Sequence, residues 1–380
     1  MADGGDSPHV STHRGLGSIS PAVWNGCAGV RDPFVSHEFL SALEVSGSVG
    51  AETGWTPAHL LLEGGGALLG CAPVYLKTHS FGEYVFDHHW AEAFERAGGR
   101  YYPRLVCAAP FSPVPGPRLL AETATAKSAL AAALIATASE ASASSVHVNF
   151  VESCDEAALV AAGFLPRRGL QYHWSNRGYG SYEDFLAALS ARKRKQIRRE
   201  RKEAAAGVEI RRLRGAEISA RYWDAFWDFY QDTGSRKWGR PYLTRDFFTR
   251  IAASMSERLL LIVAERAGEP IAGALNFIGD DALYGRYWGC TEERPFLHFE
   301  LCYHQAIEFA IEAGLARVEA GAQGEHKIAR GYEPVATRSA HWIADPPFRR
   351  AIEKYLTEER TQVAAQIEAL RAETPFRREQ

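Results

Sequence analysis

Two stretches, HLLLEGGGALLGCAPVYL at 59–76 and LLLIVAERAGEPIAGALNFIG at 259–279, decide how this chain is read. Each is an apolar run, a turn carrying glycine, and a second apolar run, the pattern of a β-hairpin. Setting Glu63 on Glu265 brings Gly70-Cys71-Ala72 near Gly273-Ala274 after a one-residue gap. Each hairpin is followed by a further strand, a long alanine-bearing helix and another strand. The helix is expected at 122–143 and the strand at SVHVNF (145–150) in the first half, against 298–313 and ARVEA (316–320) in the second. The reading is a duplicated α/β unit with mixed sheets flanked by helices.

With 380 residues the chain is too long for one ordinary core and suits two. The expected division is a loose leader over 1–18, one domain over 19–168, a second over 169–345, and a C-terminal helix and tail over 346–380. In that tail Ile352, Leu356, Val363, Ile367 and Leu370 share one face. A net charge of −3 provides no global field for nucleic acid, so phosphate recognition has to come from a local patch. Six cysteines without a CxxC pair suggest neither a zinc ribbon nor a disulfide framework, and reduced thiols suit a cytoplasmic protein. No run reaches about 18 apolar residues, so membrane insertion is not expected.

The local basic patch is LSARKRKQIRRERKEAAAG (189–207), a helix former stopped at Gly207. Between Arg192 and Lys202 eight cations face one acid, Glu200. Arg194, Arg198 and Arg201 are candidates to grip an anionic donor or precursor; a solvated, salt-bridged helix is the equal alternative. The aromatic stretch 221–244 places Trp223, Phe226, Trp227 and Tyr230 at helical spacing, which suits a core, and continues into a loop-like 232–238.

Chemistry concentrates in two places. RYWGCTEERPFLHFELCYHQAIEFAIEAG (286–314) is a strand, a short loop and a helix start, a junction that offers free N–H groups, although its loop has no glycine-rich phosphate cradle. His298 and Glu300 in the first turn point to the cleft beside the strand, where Arg286 and Tyr287 would position an acceptor. The pairs His298/Cys302 and Glu300/His304 share faces but lack a third ligand, so no metal is assigned. The second place is GAQGEHKIARGYEP (321–334). There Glu325, His326 and Lys327 supply a carboxylate, an imidazole and a cation, the groups needed to deprotonate an amine and hold an oxyanion.

This second segment resembles the closing motif of Fem-like and related GNAT acyltransferases, in which a glycine-rich turn leads to a lysine and a Gly-aromatic-x-Pro step; Lys327, Gly331, Tyr332 and Pro334 stand at those places. The basic helix and the strand after it, the helix and meander of 242–290, and HFELCYHQAIEFAIEAG extend the likeness over about 170–345. SHEFLSALEVSGSVGAETGW (36–55) and GEYVFDHHWAEAF (82–94) resemble the predicted N-acyltransferase, peptidoglycan biosynthesis subfamily. The resemblance implies tandem GNAT-like domains and transfer of an acyl or aminoacyl group to an amine. Because the attacking ammonium must lose a proton to a carboxylate or imidazole, Glu325 is the first choice of base, with His326 and His298 behind it. Lys327 becomes the oxyanion or phosphate partner, and Glu300 and Tyr332 join the substrate-binding set. An acyl thioester such as acyl-CoA is the expected co-substrate, with no tightly bound cofactor. The inserted coiled-coil hairpin that some members carry for transfer RNA is not seen, so aminoacyl-tRNA is the second donor, and a non-catalytic RNA- or precursor-binding module is the third reading.

Overall fold

The computed structural model describes residues 7–29, 31–238, 241–321 and 324–377, with the side chains of 235–238 outside that description. The chain divides into two compact units. The first holds the residues up to Gly169 together with Ala336–Ala365, and the second holds Leu170–Val335 together with the residues from Gln366 onward.

In the first unit β1 (His9–His13) pairs antiparallel with β3 (His59–Gly64), which pairs with β4 (Ala67–Ala72). Residues 9–13 were expected in the loose leader; their pairing with the apolar strand β3 orders them. β2 (Trp55–Pro57) pairs with β5 (Val74–Lys77), β5 with β6 (Arg104–Cys107), and β6 runs parallel to β7 (Ser145–Asn149). β2–β3 and β4–β5 are one hairpin interrupted at Ala58 and Pro73. Proline has no N–H for the ladder, and the hairpin's two ends enter different sheets. The crossover from β6 to β7 is the helix Ala124–Glu140, capped by Thr123 and packed through Leu130, Ala131 and Leu134 onto Leu60, Leu105 and Val146.

The second unit repeats the order. β8 (Leu165–Ser175) enters it. β9 (Glu209–Arg214), β10 (Leu259–Arg266), β11 (Glu269–Ile278) and β12 (Ala282–Cys290) form an antiparallel meander, and β12 runs parallel to β13 (Arg317–Glu319), which pairs with the end of β8. The hairpins therefore hold the same topological place. Both carry a β-bulge at the same step: Leu62 faces Gly70 and Glu63 faces Leu68, as Ala264 faces Ala272 and Glu265 faces Pro270. The register matches at a constant spacing of 202 residues, so the one-residue gap is unnecessary. A bulge adds one residue and a local kink, and its repetition supports the alignment of Glu63 with Glu265.

The C-terminal part departs from the expected division. β14 (Glu333–Ile343) pairs with β7 through Ser339–Ile343, so the chain from Ala336 rejoins the first unit instead of ending the second. The tail helix Pro346–Arg371 seats Ile352 and Leu356 on Trp90, Tyr101 and Leu165 in the first unit. Its later Leu370 belongs to the core of the second. Among the described residues no helix is long and apolar enough to cross a membrane.

Candidate functional site

β12 outruns β13. Only Ala282–Tyr284 pair with Arg317–Glu319; beyond them β12 continues to Cys290 while the partner strand has ended. Here β12 also carries a bulge: Leu275 faces Tyr287 and Asn276 faces Gly285, which leaves Arg286 as the extra residue. A cleft of about 120 Å3 opens at this point. Asn276 of β11 and Gly285, Arg286, Tyr287 and Trp288 of β12 line one side, and Cys302 and Tyr303 line the other. A second cleft of about 420 Å3 adjoins it and is lined by Thr233, Cys290, Glu292, Glu293, Arg294 and Leu297; Trp288 and His298 line both. The His298 ring meets Trp288 edge-on at 5.1 Å.

The helix behind the cleft is not regular. It begins at Leu297 after Phe296, whose φ is 61°, and widens to a π-turn over Glu300–His304 before Gln305–Glu312 resumes the α form. Such turns occur often at functional sites. Glu300, expected to point into the cleft, and His304, expected on the same helix face, are both buried in side-chain networks. Glu300 accepts from Arg201 Nε at 3.0 Å and from Gln305, and His304 Nδ1 meets the Tyr182 hydroxyl at 2.8 Å. Glu300 is thus an internal counter-ion of Arg201, not a cleft residue.

The second segment forms the 3-10 helix Glu325–Arg330, while Ala322 and Gln323 lie outside the described residues. Lys327 is 1% exposed, and its Nζ donates to the carbonyl of Gly321 at 2.9 Å; Gly321 also lines the cleft. Burial, reinforced by the Arg286 guanidinium and partly offset by Cys302, pushes its pKa down to about 8. His326 is exposed, and its Nε2 lies 2.9 Å from the Tyr303 hydroxyl. Desolvation, with Lys327 and Arg330 nearby, lowers its pKa. Glu325 is exposed at the start of the helix and does not line either cleft. Tyr332 is fully buried with its ring 5.5 Å from Tyr303, and it supports the cleft wall from behind.

The basic helix spans Ala191–Ala204, and its three candidate arginines are largely occupied. Arg194 Nη1 donates to the carbonyl of Leu189 at 3.2 Å, beside the end of helix Tyr182–Ala188. Arg201 pairs with Glu300 and Glu308 and lies over the Tyr182 ring at 4.4 Å. Arg198 forms an exposed pair with Glu183. Glu200, the single acid of the run, is buried against Arg330 at 3.0 Å. Arg192, Lys195, Arg199 and Lys202 remain turned outward or half-exposed. The stretch read as loop-like at 232–238 continues the helix Ala220–Trp238. Of it, Thr233 reaches a cleft, and the side chains of 235–238 lie outside the described residues.

Two buried polar residues, one lining the cleft and one next in sequence to its lining residue Ala320, escape a reading by composition. Glu319, at the end of β13, is 5% exposed, and burial pushes its pKa up to about 7 against the pull of Arg317. Asn276 is 1% exposed and lines the cleft. A signal for both existed in the sequence: Glu319 stands between the apolar Val318 and Ala320, and Asn276 is the polar residue inside the otherwise apolar GALNFIG.

Compared with known proteins, the chain matches solved structures across most of its length. FemX aligns with 14% identity and a TM-score of 0.56, over 88% of this chain and 98% of that one. A conserved protein of unknown function from Bacteroides thetaiotaomicron VPI-5482 aligns with 13% identity and a TM-score of 0.51, over 88% and 100%. L-PGS from Bacillus licheniformis gives 11% identity and a TM-score of 0.50, over 86% and 97%. At such identities the likeness is one of fold, the tandem GNAT-like architecture seen in the repeated strand order. No curated protein matches in sequence. The profile of the FemAB-like family, described as peptidoglycan biosynthesis/recognition, matches residues 15–378, nearly the whole chain, and the protein belongs to that family.

Proposed function

We propose that the protein is an N-acyltransferase that moves an acyl group from a thioester such as acyl-CoA to an amine on a peptidoglycan-precursor-like or amino-acid-like acceptor. The observation that carries this is Lys327, a buried ammonium bonded from behind to the carbonyl of Gly321, a residue that lines the cleft together with Arg286. The amine nitrogen attacks the donor carbonyl carbon, a C–N bond forms, and the negative charge collects on the carbonyl oxygen. A cation already desolvated stabilises that charge without reorganising at the moment of reaction. Collapse breaks the bond to the leaving sulfur, which departs as thiolate or takes up a proton. His298 in the cleft wall is the base we assign for the amine proton; His326, hydrogen-bonded to the hydroxyl of the cleft residue Tyr303, is the next. Glu325, first choice on sequence, is withdrawn because it is exposed away from both clefts.

Aminoacyl-tRNA is the second reading of the donor. The loop 291–296 has no glycine and carries Glu292, which pairs with Arg294 and Arg266, a poor setting for a pyrophosphate. The outward cations of the basic helix suit a polyanion. Action on cytoplasmic precursors follows from the same reading. The test supplies acetyl-CoA, longer acyl-CoA thioesters and alanyl-tRNA in turn, with peptidoglycan precursor as acceptor, and follows acylated product by mass spectrometry. Product with one donor and loss of it in Lys327→Met is expected. Binding of precursor with no product from any donor would overturn the transferase reading in favour of a non-catalytic binding module.

A further inference from the structure

The cleft floor holds a buried acceptor atom that the transfer scheme above does not use. Asn276 sits on β11 opposite the bulge of β12 and is 1% exposed. Its amide is fixed: Nδ2 donates to the carbonyl of Ala274 at 3.1 Å and to that of Leu260 at 3.3 Å. With both donations made to the backbone, the carbonyl oxygen Oδ1 is turned the other way, and it has no hydrogen-bond partner. A buried amide oxygen without a partner is destabilising, and native structures carry few of them. The residue across the ladder is Gly285, which also lines the cleft. A Cβ built there would stand 3.3 Å from Oδ1, so the glycine keeps side-chain atoms away from the oxygen.

We propose that Asn276 Oδ1 is the subsite for the N–H of the reacting amine. The assignment of that amine as a reactant rests on the transferase reading; the subsite itself rests on the geometry of Asn276 and Gly285. An amide oxygen suits this task better than a carboxylate. A carboxylate beside an ammonium favours its charged form and so suppresses the nucleophile. A neutral oxygen accepts one N–H in either protonation state and leaves the lone pair of the deprotonated amine for attack. Arg286 and Lys327, both cations, repel an ammonium, so the neutral acceptor is also what holds an amine close to them. The ligand class is therefore a primary amine, recognised by its N–H and not by its charge.

The experiment uses the full chain and two probes, n-propylammonium and tetramethylammonium, which share a charge but not an N–H. Binding is followed by ligand-observed NMR titration. Wild type should bind propylammonium and not tetramethylammonium. Gly285→Ala covers Oδ1 while leaving the two donations of Asn276 in place, and it should weaken propylammonium by about tenfold or more, the size of one hydrogen bond to a charged group. Asn276→Ala should do the same; because it strips partners from two backbone carbonyls, its thermal unfolding is measured alongside, and Gly285→Ala decides if it fails to fold. Equal binding of the two probes, no binding of propylammonium to wild type, or unchanged affinity in a folded Gly285→Ala protein each overturns the proposal. Where a donor supports turnover, both variants should raise the amine KM by about tenfold while donor hydrolysis by water persists. Turnover with normal amine KM in both variants sinks the subsite and keeps the transferase. Probe binding as expected with no turnover from any donor keeps the subsite and sinks the transferase.

Discussion

Replacing Lys327 by methionine keeps the length of the side chain and removes its charge, and the structure sets opposite signs for its effects on stability and activity. The ammonium is 1% exposed, and its pKa falls from 10.5 to about 8. A lowered lysine pKa means that the unfolded chain binds the proton more tightly, so folding is penalised below pH 8 and the penalty vanishes above 10.5. A displacement of that size corresponds to about 3 kcal/mol at pH 7. Methionine escapes it but gives up the bond to the Gly321 carbonyl, worth about 1.5–3 kcal/mol for a charged donor. The variant should therefore be as stable as wild type at pH 7, or more stable. Raising the pH to 9.5 relieves roughly 2 kcal/mol of the wild-type penalty, so the wild type should gain on the variant by that amount. Denaturant unfolding of both proteins at pH 7, 8, 8.5, 9 and 9.5 measures the difference without any substrate, and other titrating groups cancel in it. The kcat/KM for amine acylation should fall at least roughly a hundredfold in the same variant. A stability difference that stays flat across this range would mean that Lys327 is not held as a desolvated cation, and the electrostatic argument for it would fail. Loss of stability together with activity at pH 7 would make it a structural residue.

Other substitutions separate structural arginines from exposed ones. Arg201→Ala strands the buried Glu300 carboxylate and should cost about 3–5 kcal/mol in denaturant unfolding, an outcome that removes Arg201 from the binding set. Arg199→Glu with Lys202→Glu should change stability by less than about 0.5 kcal/mol per site yet weaken tRNA binding at low salt; unchanged binding favours the solvated helix. His147 and His341 are buried with their Nδ1 atoms 2.7 Å apart, and desolvation holds both pKa values well below the ordinary imidazole range. Neutral in the fold, they must take up protons on unfolding in acid. Wild type should lose up to about 2 kcal/mol per histidine between pH 7 and pH 5, and His341→Asn should show a shallower slope. Gly289→Ala drives a Cβ to 2.1 Å from the Phe229 carbonyl oxygen and should lower the thermal midpoint by several degrees, as overpacking costs about 1–3 kcal/mol; an unchanged midpoint would mean that the helix is not seated there.

The duplicated α/β unit was legible because its evidence is local. A hairpin writes itself as two apolar runs around a turn, and Leu60–Leu62 and Leu259–Val263 need no partner to be recognised as strands. Helix spans were equally local: the basic helix was expected at 189–207 and runs Ala191–Ala204, and the C-terminal helix and tail were expected over 346–380, where the helix runs Pro346–Arg371. The lysine of 321–334 was singled out from the residues around it. What the sequence left open was which charged groups are accessible. Glu325 and Lys327 are two residues apart, yet one is exposed and the other buried, because two thirds of a 3-10 turn sends them to different surroundings. Arg194, Arg198 and Arg201 look alike in a basic run, but their partners come from Leu189, Glu183 and Glu300, and the last lies 99 residues away. The same is true of Asn276, whose free oxygen depends on Gly285 across a bulge and on a carbonyl 16 residues earlier. It is true also of Ala336–Ile343, which joins the first unit only because β7 offers it a free edge. Periodicity and turn chemistry are properties of neighbouring residues, whereas burial, ion pairing and an unpartnered polar atom are set by which distant segment the fold brings alongside.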